Sequence, residues 1–316
     1  MGHKRRLALL ALVAVALIAL YIFAQVPGNW DYVLPRRLWK VANIILAGGA
    51  GGCGTVVFQT ISNNRILTPS VVGIDSLYVL VQTLVVFVLG AASNPWTNAT
   101  LHFLLSVGLL VLFSTLLYRG LFRQEHFRIY FVLLVGLIFG VFFQSLSSFL
   151  QMLMDPNEFL VLQGRLFASF NTARPELVIM SSAVLVLTLV LARPLAPYLD
   201  VLGLGRDHAV NLGVDHPRVL RHLWFVITVL VSVATALVGP ITFLGLVVAN
   251  LAYEFFRTYR HAVLLPGAAL ISVITLMAAV ILVERVFTFT TTVSVIINFA
   301  GSLYFLYLVL RESQGP

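Results

Sequence analysis

Ten apolar stretches punctuate this chain, at residues 7–24, 41–58, 71–92, 101–118, 129–150, 177–192, 222–238, 241–256, 263–283 and 293–310. A helix needs roughly 20 apolar residues to cross a bilayer, and each stretch has that length or nearly so. None alternates apolar and polar residues with period two, as the strands of a membrane barrel do. In lipid a helix satisfies its own backbone hydrogen bonds, so helices are the solution these runs select. The expected fold is an all-α polytopic membrane protein of about ten transmembrane helices. Charge scarcity agrees: 10% of residues are charged and 60% hydrophobic, against about 25% charged in a soluble domain. That excludes secreted disulfide scaffolds, disordered regulators and ordinary cytosolic enzymes. Residues 1–316 are expected to form a single membrane domain, with longer polar loops only at 151–176 and 193–221. The first run follows Lys4, Arg5 and Arg6 as a signal peptide would. It exceeds a signal h-region and lacks a small-x-small cleavage site, so an uncleaved first helix is expected.

The basic residues orient the bundle. With both termini inside, Lys4, Arg5, Arg6, Arg65, Arg119, Arg123, Arg128, Arg193, Arg206, Arg218, Arg221, Arg257, Arg260 and Arg311 are cytoplasmic. Arg36, Arg37, Lys40, Arg165, Arg174 and Arg285 are then outside. Fourteen of the 20 fall inside, as the positive-inside rule requires, and the reverse topology violates it. The net charge of +8 is thereby a matter of orientation and headgroup contact. No basic run is interleaved with aromatics, so no nucleic-acid partner is expected. The one cysteine, Cys53, allows no intramolecular disulfide and no multi-cysteine metal site.

Chemical motifs are few. Gly49-Ala50-Gly51-Gly52-Cys53-Gly54 fits the dinucleotide pattern G-x-G-x-x-G, with Asp75 downstream. That pattern acts only between a strand and a helix, and here it lies within a span. The same residues, with Ala47 and Gly48, give small-xxx-small spacing, which lets helices approach closely or leaves room for a solute. No phosphate-binding G-x-x-x-x-G-K-[ST], H-E-x-x-H or G-x-S-x-G occurs, and the seven histidines show no ligand spacing. No cofactor, resident metal or catalytic residue is therefore expected, and any ATP-driven work belongs to another chain. Acidic residues lie at span edges. Asp75, the deepest, stands near the start of a span, which disfavours an ion-coupled secondary transporter with a midplane carboxylate.

In the inner loop, residues 200–215 read as a short helix flanked by glycines, Asp207 capping it and Leu204, Ala209 and Leu212 forming an apolar face. It could be a rigid knob receiving motion from a separate ATPase, or an interfacial helix lying on headgroups.

Several segments resemble the permease subunits of iron–siderophore and vitamin B12 ABC importers, the FecCD-like family of type II importers. Arg37-Leu38-Trp39-Lys40, followed by Ala47-Gly48-Gly49-Ala50 and Gln59, is similar to R-L-P-R…G-A…Q. Residues 64–73 are similar to N-P-L-A-x-P-x-L-L-G, and residues 204–214 to L-G-x-x-x-A-x-x-L-G-V. The most specific match is Gly239-Pro240-Ile241-Thr242-Phe243-Leu244-Gly245-Leu246-Val247-Val248, beside G-P-I-x-F-V-G-L-V-V. Lys40 stands where Arg is usual, Ala249-Asn250 replaces Pro-His, and residues 287–293 depart from P-x-E-L-P-V-G.

The resemblance implies the inner-membrane permease of an importer for a ferric siderophore, or alternatively for vitamin B12 or haem. Its partners would be a paralogous permease (the departures point to a heterodimer rather than a homodimer), two cytoplasmic ATPase subunits and an extracytoplasmic substrate-binding protein. Leu204, Gly205, Asp207, Ala209, Leu212 and Gly213 would couple to the ATPase. Arg37, Lys40 and Arg285 would meet acidic residues of the binding protein, headgroup anchoring being the other role open to them. Gly48, Gly51, Gly52, Gln59, Ser62 and Asn63 would line the translocation path.

Overall fold

A computed structural model describes residues 2–24, 28, 30–90, 99–121, 129–166, 170, 174–289 and 291–313 of the 316. Among these no strand occurs. The helices are α1 (His3–Phe23), α2 (Trp30–Ser62), α3 (Ile74–Leu89), α4 (Ala99–Leu121), α5 (Ile129–Met152), α6 (Pro156–Leu166), α7 (Pro175–Ala192), α8 (Ala196–Leu202), α9 (Arg206–Asn211), α10 (His216–Val238), α11 (Leu244–Phe256), α12 (His261–Arg285) and α13 (Val293–Ser313). Each of the ten apolar stretches becomes one helix. Eight are long and apolar enough to cross a membrane, while α3 and α11 are apolar but shorter. The polar loops add α6 at one end of the bundle and α8 and α9 at the other. Arg123 and Arg128 lie outside the described residues.

Side-chain anchors show which helix ends lie together. Arg6, early in α1, donates to the carbonyl oxygens of Phe255 (2.6 Å) and Phe256 (3.2 Å) where α11 finishes. Arg37, early in α2, donates to the carbonyls of Tyr21, Ile22 and Ala24 where α1 finishes. Ser114 of α4 meets Thr228 of α10 at 2.9 Å, and the Trp224 indole donates to the Ser114 hydroxyl at 3.1 Å. Asp200 of α8 accepts from the His261 N–H at the start of α12, just beyond the finish of α11, so the described start of the chain lies at the end that carries α8 and α9.

Three helices form the interior. The most apolar windows of α2, α10 and α12 are 67%, 72% and 56% buried, against 17–28% for the other long spans. Glycine explains why α2 takes the centre. A Cβ on Gly52 would lie 3.0 Å from the Ala268 carbonyl oxygen of α12, and one on Gly48 would lie 2.9 Å from Leu276 Cδ1. One on Gly54 would press on Val231 of α10 at 3.1 Å. The small-residue stripe is thus a pair of close helix contacts, the geometry such spacing permits.

Two chain segments break at membrane depth. At about 24 Å, the 16 residues of α3 fall short of a bilayer core at 1.5 Å per residue. Beyond Ser62 the chain turns back into the bundle, through Asn63 at φ 48° and a tight turn at Pro69–Val72. Gly73, at φ 86°, then lies against Gly136 and Gly140 in the middle of α5, where a Cβ would come within 3.0 Å of backbone. The second break follows α10: Gly239, at φ 98°, caps the helix, Pro240 cannot continue it, and α11 begins only at Leu244. Irregular backbone at this depth is tolerated only when buried in protein or lining a cavity.

Candidate functional site

The two breaks meet. Between them lies a cavity of about 50 Å³ whose polar side chains are Thr55, Thr68, Ser70, Asp75, Thr235 and Thr242. The Asp75 carboxylate accepts hydrogen bonds from the hydroxyls of Thr235 (3.5 Å) and Thr242 (3.3 Å), and Ser70 lines the same cavity. It also stands in the first turn of α3, where the helix dipole favours an anion. Sequence position put Asp75 near a span's edge; the re-entrant segment 63–73 carries it instead to the middle of the bundle. One or two water-sized molecules fill such a volume, far below the roughly 300 Å³ at which small-molecule sites begin. The node ties α3 to α10 and to the 239–243 break; a bulky cargo does not fit within it.

The six residues expected along the path separate in space. Gly51 faces this cavity, and no atom stands within 4 Å of a Cβ placed there. Gly48 and Gly52 are instead filled by α12, so they line no opening. Gln59 and Ser62 are buried at the end of α2. The Gln59 amide donates to the Arg65 carbonyl at 2.5 Å, and the Ser62 hydroxyl to the Gln59 carbonyl at 3.3 Å. Of this group only Asn63 is exposed, where the chain leaves α2. A different polar surface escaped the sequence reading: Gln144, Ser145 and Ser148 stand exposed on α5, beside Phe142 and Phe149. Its signal was Gln-Ser-Leu-Ser-Ser, residues 144–148, inside an otherwise apolar run.

At the end opposite α9, the basic residues surround the finish of α1. Arg37 caps three of its carbonyls, as above, and its guanidinium lies 5.5 Å from the centre of the Tyr21 ring. Arg285 donates to the carbonyls of Leu20 and Ala24 at 3.4 Å each. Lys40 is buried and ion-paired with Glu284, whose carboxylate also accepts from the Tyr21 hydroxyl at 3.2 Å. Lys40 therefore serves the chain's own packing and presents no free charge. A depression of about 680 Å³ opens above it, lined by Tyr32, Arg36, Arg37, Lys40, Arg174 and Glu284. Tyr32, Arg36 and Arg174 are the exposed members of that set.

At the other end α9 forms a protruding knob. Gly205 (φ 99°) and Gly213 (φ 83°) bracket it in a backbone region other residues avoid. Ala209 is fully buried, whereas Leu204, Val210 and Leu212 are 60%, 50% and 64% exposed. The expected single apolar face is thus two: Ala209 holds the knob, and the leucines point away from it. Asp207 does not cap. Gly205 occupies that position without a side-chain bond, and the capping carboxylate is Asp215, which accepts from the Arg218 N–H at 3.3 Å on α10.

A bundle of apolar spans broken at mid-depth, with a basic depression at one end and an exposed helical knob at the other, defines a multi-pass membrane transport protein. The chain belongs to the FecCD transport family, whose model matches residues 7–311. It is 51% identical over 315 residues to the petrobactin import system permease protein YclO of Bacillus subtilis (strain 168), covering 100% of both chains. The same strain has a second petrobactin import system permease protein, YclN, 25% identical over 284 residues (87% of this chain and 85% of that protein). Among solved structures, a metal-chelate type ABC transporter in an inward-facing conformation superposes with a TM-score of 0.82. That match is 22% identical and covers 98% of this chain and 99% of the other, so it supports the fold.

Proposed function

We propose that this chain is the pore-forming permease subunit of an ATP-binding-cassette importer for a ferric siderophore of the petrobactin type, in a bacterial cytoplasmic membrane. The observation that carries the reading is its 51% identity to a petrobactin permease along the whole of both chains. Two permeases of one system in one strain, only one of them close to this chain, favour a heterodimer. The small central cavity supports the same arrangement, because cargo of siderophore size would have to pass between two chains. Polar side chains exposed at membrane depth face water or protein far more often than lipid. The α5 surface at Gln144, Ser145 and Ser148 is therefore the wall we assign to that path.

The positive-inside count puts α9 and both ends of the chain in the cytoplasm. Leu204 and Leu212 would enter a cleft of the ATPase, with Gly205 and Gly213 setting the angle of the knob. Arg36, Arg37 and Arg285 would offer positive charge to acidic residues of the binding protein, with Lys40 supporting them from beneath. ATP binding and hydrolysis would bias two arrangements of the paired permeases, and the binding protein's differential affinity for them would set direction. The chain itself would perform no covalent step.

Deleting the gene and supplying iron only as ferric petrobactin tests the reading. Growth and radio-iron uptake should collapse and return with a plasmid copy. Uptake at the parental rate in the deletion strain would overturn it.

A further inference from the structure

Among the described residues, the end of the bundle that carries α9 contains one buried histidine, and its bonds reach three separate elements. His261, the first residue of α12, is 4% exposed. Its backbone N–H and its Nδ1 both meet Asp200 Oδ1 of α8 at 2.7 Å. Its Nε2 lies 2.7 Å from the Thr60 hydroxyl of α2. A carboxylate only accepts, so Nδ1 carries the proton. Tyr253 of α11 belongs to the same end of the bundle, and the Arg65 guanidinium lies 4.6 Å from the centre of its ring. The Arg65 carbonyl in turn accepts from Gln59 of α2 and Asn250 of α11. One continuous polar chain thus runs from α8 through α12, α2 and α11 to the segment that re-enters the membrane beyond Asn63.

Its far end is the knob. Leu202 of α8 accepts from the Gly205 N–H at 3.0 Å, and Gly205 caps α9. Leu199 and Leu202 are 3% and 2% exposed, in the core beside Trp224, Leu220 and Ile61. α8 and α9 are therefore braced together, and a push on the knob reaches Asp200.

We infer that His261 is a positioning residue for transport: bonded to Asp200 and Thr60, it passes displacement of the α8–α9 unit to the end of α2 and to residues 63–73. The hydroxyl proton count adds a mechanism. Thr60 has one hydroxyl proton, and Val56 O, 2.8 Å away, competes for it with His261 Nε2. When His261 is neutral, Thr60 donates to Nε2; when it is protonated, Nε2–H donates to Thr60, whose proton turns to the α2 backbone. The junction has two satisfied arrangements, which a relay between two conformations needs. Besides His261, the titratable or charged groups facing the junction are Asp200 from α8, Tyr253 from α11 and, through Tyr253, Arg65.

This inference rests on α9 being the ATPase-docking knob, and the test separates the two. The whole importer, with partner permease, ATPase and binding protein, is reconstituted in proteoliposomes, and ferric petrobactin transported per ATP hydrolysed is measured. Thr60→Val keeps the side-chain shape without the hydroxyl, and His261→Asn keeps the bond to Asp200 without reaching Thr60. Both should retain stimulated ATP hydrolysis while lowering transport per ATP at least fivefold, and Thr60→Ser should restore the ratio. A wild-type ratio in Thr60→Val overturns the relay, as does a Thr60→Ser protein as impaired as Thr60→Val. Loss of ATPase stimulation in parallel with transport overturns it too, since the histidine would then only hold the knob in place. If Leu204→Asp with Leu212→Asp leaves ATPase stimulation intact, the docking role of α9 itself is wrong. Should His261→Asn assemble poorly, the two Thr60 variants decide the matter alone.

Discussion

Single side chains at the two ends of this bundle carry work that sequence position obscured. Lys40 matches a family position with a basic side chain, and the charge count put it outside; neither shows that it turns inward onto Glu284. Removing one partner of a buried pair leaves an uncompensated charge, at a cost of roughly 3–5 kcal/mol. Lys40→Ala should therefore lower the unfolding temperature in detergent markedly. Lys40→Met combined with Glu284→Gln should recover most of the loss, and equal instability of single and double variants would contradict the pairing. Asp75 is the mirror case. Nothing beside it in sequence names a partner, and only folding of residues 63–73 brings it within reach of the Thr235 and Thr242 hydroxyls. Asp75→Ala strands those hydroxyls in a small cavity, where each unsatisfied group costs about 1–3 kcal/mol. Thermal unfolding of the purified chain should register that loss.

At the scale of elements, the apolar runs announced every spanning helix, because burying about 20 consecutive side chains in lipid outweighs local propensity. The stripe from Ala47 to Gly54 announced close packing but not its direction, since spacing names a face without naming the neighbour. The neighbours are α12 for Gly48 and Gly52, and α10 for Gly54. Gly52→Val should thus reduce folded yield and stability by about 1–3 kcal/mol. Gly49→Val, where a Cβ meets no atom within 4 Å, should be tolerated, and equal damage from both would mean the stripe acts otherwise. The knob was legible as a short helix between glycines. That Ala209 alone turns inward was not, because six residues make too few turns for a face to be read.

For the whole molecule, orientation is the property most open to test. With Cys53 replaced by Ala, a cysteine at Leu212 should react with a membrane-impermeant thiol reagent only from the cytoplasmic side, and one at Arg36 only from outside. A cysteine at Gln144 should become accessible to such a reagent in the assembled importer; persistent protection there would remove α5 from the path. The sequence by itself determined the lipid-dissolved class, the number of apolar helices, the clustering of basic residues at one end and the family. Those properties are sums over many residues or local motifs, and each is written in neighbouring positions. Only the tertiary structure decided that two spans start at mid-depth, that Lys40 and Gln59 are buried, and that Thr60, Asp200 and His261 meet. Such contacts join residues 201 positions apart in Thr60–His261 and 244 apart in Lys40–Glu284, and no local pattern encodes a partner that only helix packing brings near.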